Sequence, residues 1–93
     1  MLEPVEIGHY ARIPYHIATA KIPSRARDVW ILLAMNCTPE SPEVWVRQPK
    51  LAEQLDCSTD TIGRVLRELI TAKLIFVTNK MHQGRYKIYR LAW

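Results

Sequence analysis

The chain is poor in the residues that most often announce chemistry. Cys37 and Cys57 are its only cysteines in 93 residues. They lack CxxC spacing and have no histidine at a metal-ligand interval, so neither a disulfide framework nor a zinc module is signalled. Cys57 reads more simply as a small buried hydrophobe. With three glycines in all, there is no Gly-rich phosphate loop. No close carboxylate pair or nucleophile with a recognisable base stands out, and His9, His16 and His82 are scattered. Enzymatic chemistry, metals and cofactors are therefore not expected. The longest uninterrupted apolar run, Val29 to Met35, falls far short of the ~20 residues of a membrane span. The opening MLEPVEIGHY has no basic stretch leading into an apolar core, as an export signal would. A cytoplasmic protein with no membrane partner is the default expectation. Internal repeats and low-complexity segments are missing as well.

What is present is an ordinary globular composition, 48% hydrophobic and 24% charged, long enough for one small domain with a modest core. Its clearest pattern lies between Gln48 and Phe76. Ile62, Val65, Leu66, Leu69 and Ile70 recur at helical spacing as one apolar stripe. Asp60, Gly63, Arg64, Arg67, Glu68 and Thr71 fall on the opposite face. Ser58 or Thr59 can cap this helix through a side-chain oxygen. Just upstream, Pro49 suits the first turn of a shorter helix whose buried side is Leu51, Ala52 and Leu55. Only Asp56 and Cys57 separate that helix from the cap, so the two must cross steeply, as in a helix-turn-helix. Leu74 to Thr78 is then β-branched and aromatic, Asn79 to Gly84 has turn composition, and Arg85 to Leu91 returns as a strand. Tyr89 and Leu91 share the face expected to pack inward. Lys80, His82, Gln83, Arg85 and Lys87 lie at the tip and flanks of this hairpin.

The segment LAEQLDCSTDTIGRVLRELITAKLI resembles winged helix-turn-helix DNA-binding domains, in which a hairpin follows the recognition helix. It is similar in particular to the winged-helix domains at the start of plasmid and phage replication initiators and related bacterial regulators. In those domains an extended "IP" segment and a first helix like SRARDVW precede the motif, as Ile13-Pro14 and Ser24 to Trp30 do here. The likeness runs from about Ile13 to Leu91. It implies an α+β fold, with a three-helix core, a small antiparallel sheet and a hairpin wing. It implies duplex DNA as the partner, in DNA replication or in transcription regulation of a plasmid, phage or bacterium, and a nucleoid- or plasmid-associated place. Two positions depart from the pattern. Asp56 stands where the turn commonly has Gly, and Lys73 where Gly commonly ends the recognition helix; Asp tolerates a left-handed backbone better than Lys does.

Upstream of the motif, residues 1–23 form an arm, and residues 24–93 the domain proper. Pro4, Pro14 and Pro23 predict an extended arm with a short helical turn around Tyr15 to Thr19, its first residues loose. The alternation of Tyr10, Ile13, Tyr15 and Ile17 predicts that it lies on the domain. Ser24 is expected to cap a helix from Arg25 to about Asn36, with Ala26, Val29, Trp30 and Leu33 inward. Ile31, Leu32 and Met35 make the other sides apolar too, so the arm or a second copy of the chain should cover them. After the polar loop Cys37 to Glu43, Val44-Trp45-Val46 reads as a third strand beside the hairpin, with Trp45 in the core. The chain ends on Arg90-Leu91-Ala92-Trp93 with no polar tail, as a domain cut from a longer protein would.

Charge follows the same division. Residues 1–46 carry four basic and five acidic side chains, whereas residues 47–93 carry nine basic and four acidic, a net +5. A basic half that coincides with the motif fits a phosphate-binding surface; a solvated basic face is the plainer alternative. In the DNA-binding reading the contacts come from Lys50, Ser58, Thr59, Asp60, Thr61, Gly63, Arg64 and Arg67, and from Lys80, His82, Arg85 and Lys87. Arg64 is the leading base reader, because a guanidinium bonds both acceptors of guanine. Arg67 and Lys50 fall to phosphate, and Asp60 to a cytosine amino group. Gly63 is unusual in mid-helix and admits close backbone approach or neutral drift. Against this stands a solvated helix face with an Arg64–Glu68 pair at i,i+4, and a turn histidine at His82 with no task. The competing function is a protein-interaction module that works through Ile31, Leu32 and Met35, the same residues that a homodimer would use.

Overall fold

Prolines and a few left-handed residues divide the chain into short elements. The structure is a computed structural model that describes residues 5–7 and 11–93, with side chains described from Pro14 onward. Val5–Ile7 (β1) and Ala11–Ile13 (β2) pair antiparallel, Val5 opposite Ile13. Pro14 and Pro23, each with φ near the value its ring imposes, sit at the N-caps of Tyr15–Ala18 (α1) and Ser24–Ala34 (α2). Glu43–Trp45 (β3), Gln48–Gln54 (α3) and Thr59–Thr71 (α4) follow, then Ile75–His82 (β4) and Tyr86–Leu91 (β5). β5 lies between β3 and β4, antiparallel to both. The domain is thus α+β, with four helices and a three-stranded antiparallel sheet among the described residues.

The apolar stripes meet where the periodicity predicts. Ala26, Val29, Trp30 and Leu33 of α2 are buried with Ile62, Val65, Leu66 and Leu69 of α4. Leu51 and Ala52 of α3, Val44 and Val46, Ile75, Tyr89 and Leu91 close the core from the other sides. Small Ala52 is buried on α3, which packs against α4. Trp30 is fully buried, so its indole N–H needs a partner. It finds the Leu74 carbonyl at 3.0 Å and so ties α2 to the junction between α4 and β4. Trp93 packs edge-on to it, with centroids 5.2 Å apart.

Two helix ends set the path of the chain, and they are built alike. At the end of α3, Asp56 adopts φ 52° while Cys57 N donates to Ala52 O at 2.9 Å and Asp56 N to Glu53 O at 3.3 Å. At the end of α4, Lys73 adopts φ 61° while Leu74 N donates to Leu69 O and Lys73 N to Ile70 O, both at 3.0 Å. Each is a Schellman motif, and each places a non-glycine in the left-handed position. Buried Leu69 and Leu74 flank the second motif. Both are positions where the sequence has a non-glycine in place of the glycine common in the domains it resembles.

Several expectations need correction. Ser24 does not cap α2: it is the first helical residue, Pro23 is the N-cap without a side-chain bond, and the helix ends at Ala34. Val5–Ile7 and Ala11–Ile13 are not a plain extended arm but pair as two antiparallel strands, and β2 packs against α2. Tyr10 and the first four residues lie outside the described residues. Beyond them the expected alternation breaks, because α1 turns Tyr15 outward at 47% exposure while Ile17 is fully buried. Asn79 to Gly84 is not all turn, since β4 continues to His82 and the chain turns over Gln83 (φ 54°), Gly84 (φ 65°) and Arg85, with β5 starting at Tyr86. The reason is a bulge. Two extra residues sit in β4 between the Val77–Tyr89 and Met81–Lys87 pairs, and Thr78 Oγ1 holds the loop by donating to Ile88 O and accepting from Lys80 N. Trp45 is not a core residue either. Val44 and Val46 take the inward parity, which leaves Trp45 42% exposed on the outer face.

Candidate nucleic-acid interface

One face of α4 is left uncovered by the rest of the fold. Its start is fixed by Ser58, in extended conformation, whose hydroxyl oxygen accepts from Thr61 N at 3.1 Å and lies 3.0 Å from Thr61 Oγ1. Both hydroxyls therefore serve the cap, a stabilisation of about 1 kcal/mol. Beyond it Thr59, Asp60, Arg64, Arg67 and Thr71 are exposed, with Gly63 half-buried among them. Arg64 Nε is 3.5 Å from Glu68 Oε1, but its side chain stays 65% exposed, and such an exposed i,i+4 pair holds a side chain weakly. Arg67 pairs with no carboxylate among the described residues.

The inner side of the β4–β5 hairpin stands opposite this face and makes a groove with it. Thr59, Asp60, Gly63 and Arg67 line one wall, Val77 and Lys87 the other, and Gln48 of α3 the end. A second cleft runs along the other flank of α4, where Lys21 joins Arg64 and Arg67. Four cations are thus grouped here: Arg64 and Arg67 on α4 itself, with Lys21 and Lys87 on its two flanks. Gly63 is not imposed by packing, because an added Cβ would meet only Gln48 Oε1 at 3.6 Å and an Arg67 guanidinium nitrogen at 3.8 Å. That is ordinary contact, so the helix tolerates a side chain there and the open backbone is free for something outside the fold.

The remaining expected residues lie elsewhere. Lys50 lines a separate cleft beside Trp45 and Arg47. Lys80 Nζ reaches across the outer face of the sheet to Glu43, at 3.0 and 3.1 Å from its two oxygens. His82 is stacked on Trp45, centroids 4.5 Å apart and planes 4° from parallel. Arg85 sits with its guanidinium 5.9 Å from the centre of the Tyr86 ring. The hairpin therefore turns Lys87 towards α4 and associates Lys80, His82 and Arg85 with its opposite face. Gln48 and Lys21 were not anticipated. Nothing in a seven-residue helix tells Gln48 from Lys50 as the one facing α4, and Lys21 lies in a linker without periodicity.

Ile31 and Leu32 are half-buried and packed against the core, which leaves Met35, at 48% exposure, as the open residue of that trio. Burial raises the Cys37 thiol above its ordinary pKa, which lowers its reactivity as a nucleophile or ligand. No cluster of three or more potential metal-ligating side chains occurs among the described residues, and no described helix is long and apolar enough to cross a membrane. No family model, curated protein or solved structure matches this chain.

Proposed function

We propose that the chain is a winged helix-turn-helix protein that binds double-stranded DNA sequence-specifically, with α4 as recognition helix in the major groove and the β4–β5 hairpin as wing. The observation that carries this reading is the uncovered face of α4. It follows a tight left-handed turn, begins at a capped end, and presents Arg64 and Arg67 to solvent with Lys21 and Lys87 on its two flanks. Arg64 and Asp60 are the base readers; Arg67, Lys21 and Lys87 bind phosphate. Among the other expected contacts, Ser58 and Thr61 act through the cap, Thr59 meets the backbone of the duplex, and Gly63 lets α4 approach it closely. Base contacts of this kind supply discrimination, and the phosphate contacts supply affinity that weakens with salt. The role is replication initiation or transcription control in a plasmid, phage or bacterium. As a two-fold dimer the protein would read half-sites about 10 bp apart. Docking of a protein through α2 is the second reading, and exposed Met35 is the observation that favours it.

The test is a salt titration of binding to random-sequence duplex DNA, for wild type and for Arg64→Ala with Arg67→Ala. Wild type should lose affinity steeply with salt. The double variant should bind at least tenfold more weakly at low salt, with a slope shallower by about one phosphate contact, that of Arg67. Binding indifferent to both arginines would reject α4 as the recognition helix.

A further inference from the structure

The sheet carries on its outer face a group of side chains that the duplex interface does not use. Strand alternation sends Tyr89 and Leu91 inward, so Tyr86, Ile88 and Arg90 of β5 project outward. Their ladder partners Trp45, Phe76, Glu43 and His82 project with them. Four rings result. Trp45 lies over His82 and 5.1 Å from Tyr86, and Phe76 stands further along. Guanidinium groups attend them: Arg47 6.0 Å and Arg85 5.9 Å from the Tyr86 ring centre, and Arg90 5.3 Å from that of Phe76. Among the described residues that these ladders turn outward, Glu43 is the one carboxylate, and Lys80 pairs with it. Although His82 covers one side of the indole, Trp45 keeps 42% of its surface in solvent, and Phe76 keeps 37%.

We propose that this outer face is a second nucleic-acid site, which takes single-stranded DNA by stacking bases on Trp45, Tyr86 and Phe76 while Arg47, Arg85 and Arg90 hold the phosphates. Exposed rings interleaved with unpaired cations match the two features of a single strand that a duplex hides or spaces differently: free base faces and a flexible polyanionic backbone. An apolar protein segment would leave the three guanidiniums without partners. The choice of DNA over RNA rests on the duplex-binding reading, since a strand displaced from a duplex held at α4 would emerge beside the opposite face of the same hairpin.

The test follows anisotropy of a labelled oligo(dT) of about 12 nucleotides, with duplex DNA measured in parallel on the same proteins. Trp45→Ala and Tyr86→Ala should each weaken oligo(dT) binding about tenfold, while Trp45→Phe retains most of it. Arg64→Ala with Arg67→Ala should keep oligo(dT) binding whatever happens to the duplex. Because Trp30 is buried and Trp93 is packed against it in the core, quenching of the exposed Trp45 should report the bound strand and be largely lost in Trp45→Phe. No oligo(dT) binding at low salt, or a Trp45→Ala variant that loses thermal stability but not oligo(dT), would overturn the site and reduce the rings to cross-strand packing. Preference for oligo(U) would overturn the assignment to DNA. Failure of duplex binding alone would reject the α4 reading and leave the outer face standing.

Discussion

The arginines of α2 and of α4 do opposite things with the same side chain. Arg27, half-buried, donates from Nε to Ile17 O at 3.3 Å and from its terminal nitrogen to Ala20 O at 2.6 Å, closing the end of α1 onto α2. Arg25 donates to Leu55 O at 3.0 Å, at the C-terminal end of α3. Arg25 thus satisfies a carbonyl at a helix end, and Arg27 adds a charged donor to two carbonyls that also accept from Ala20 N and Ile22 N. Arg64 and Arg67, one turn apart on α4, reach no backbone carbonyl and keep their donors in solvent, apart from the loose Glu68 contact. A count of basic residues treats the four alike, but of these only the α4 pair donates to no backbone carbonyl. Available charge is therefore more skewed along the chain than formal charge.

The largest expected effect tests that contrast directly. Arg27→Ala should lower unfolding free energy by about 2 kcal/mol, since two charge-assisted bonds to carbonyls are lost. Its affinity for duplex DNA, measured where the variant is still folded, should match wild type. Arg67→Ala should show the reverse, with stability within about 0.5 kcal/mol of wild type, as for a surface substitution, and weakened DNA binding. Urea denaturation beside a binding titration reads both. If Arg27→Ala weakened binding as much as Arg67→Ala does, the division between structural and free arginines would be wrong.

The two Schellman ends offer a finer comparison, since they share one backbone geometry and differ in the left-handed residue. A residue with a Cβ is strained there by roughly 1–2 kcal/mol, and less for Asp, whose short polar side chain bonds locally. Lys73→Gly should therefore raise stability by about 1 kcal/mol, and Asp56→Gly by less, both read as shifts in denaturation midpoint at constant slope. Equal gains would mean that the Asp56 side chain contributes nothing to its turn.

These ends also show what was legible in the sequence. The α4 stripe and its Ser58 cap follow from spacing, and the left-handed sites at 56 and 73 are the two positions singled out by a likeness to winged helix-turn-helix sequences. Tyr89 and Leu91 obey strand alternation and are buried. Legibility fails where periodicity has too little length or is interrupted. Val44-Trp45-Val46 is apolar at every position, so only the ladder with β5 decides that Trp45 faces out. The bulge at Thr78 to Lys80 breaks the period of two, and β4 therefore reads as ending early. β1 and β2 hold three residues each, too few for any pattern.

Gly63 separates the demands of the fold from those of the uncovered face by the smallest margin. In mid-helix, glycine weakens a helix by about 0.5–1 kcal/mol relative to alanine, and the structure leaves room for the extra methyl group against Gln48. Gly63→Ala should therefore raise stability by about that amount. If α4 lies deep in a groove at this point, the same methyl group should weaken duplex binding although no charge has changed and the salt slope stays as it was, because a steric loss is not a loss of phosphate contacts. Improved stability with unchanged affinity would instead put the closest approach at the Thr59–Asp60 end of the helix. The Arg64 side chain would then reach the bases from further off, and Gly63 would stand as a position that neither the fold nor the ligand requires.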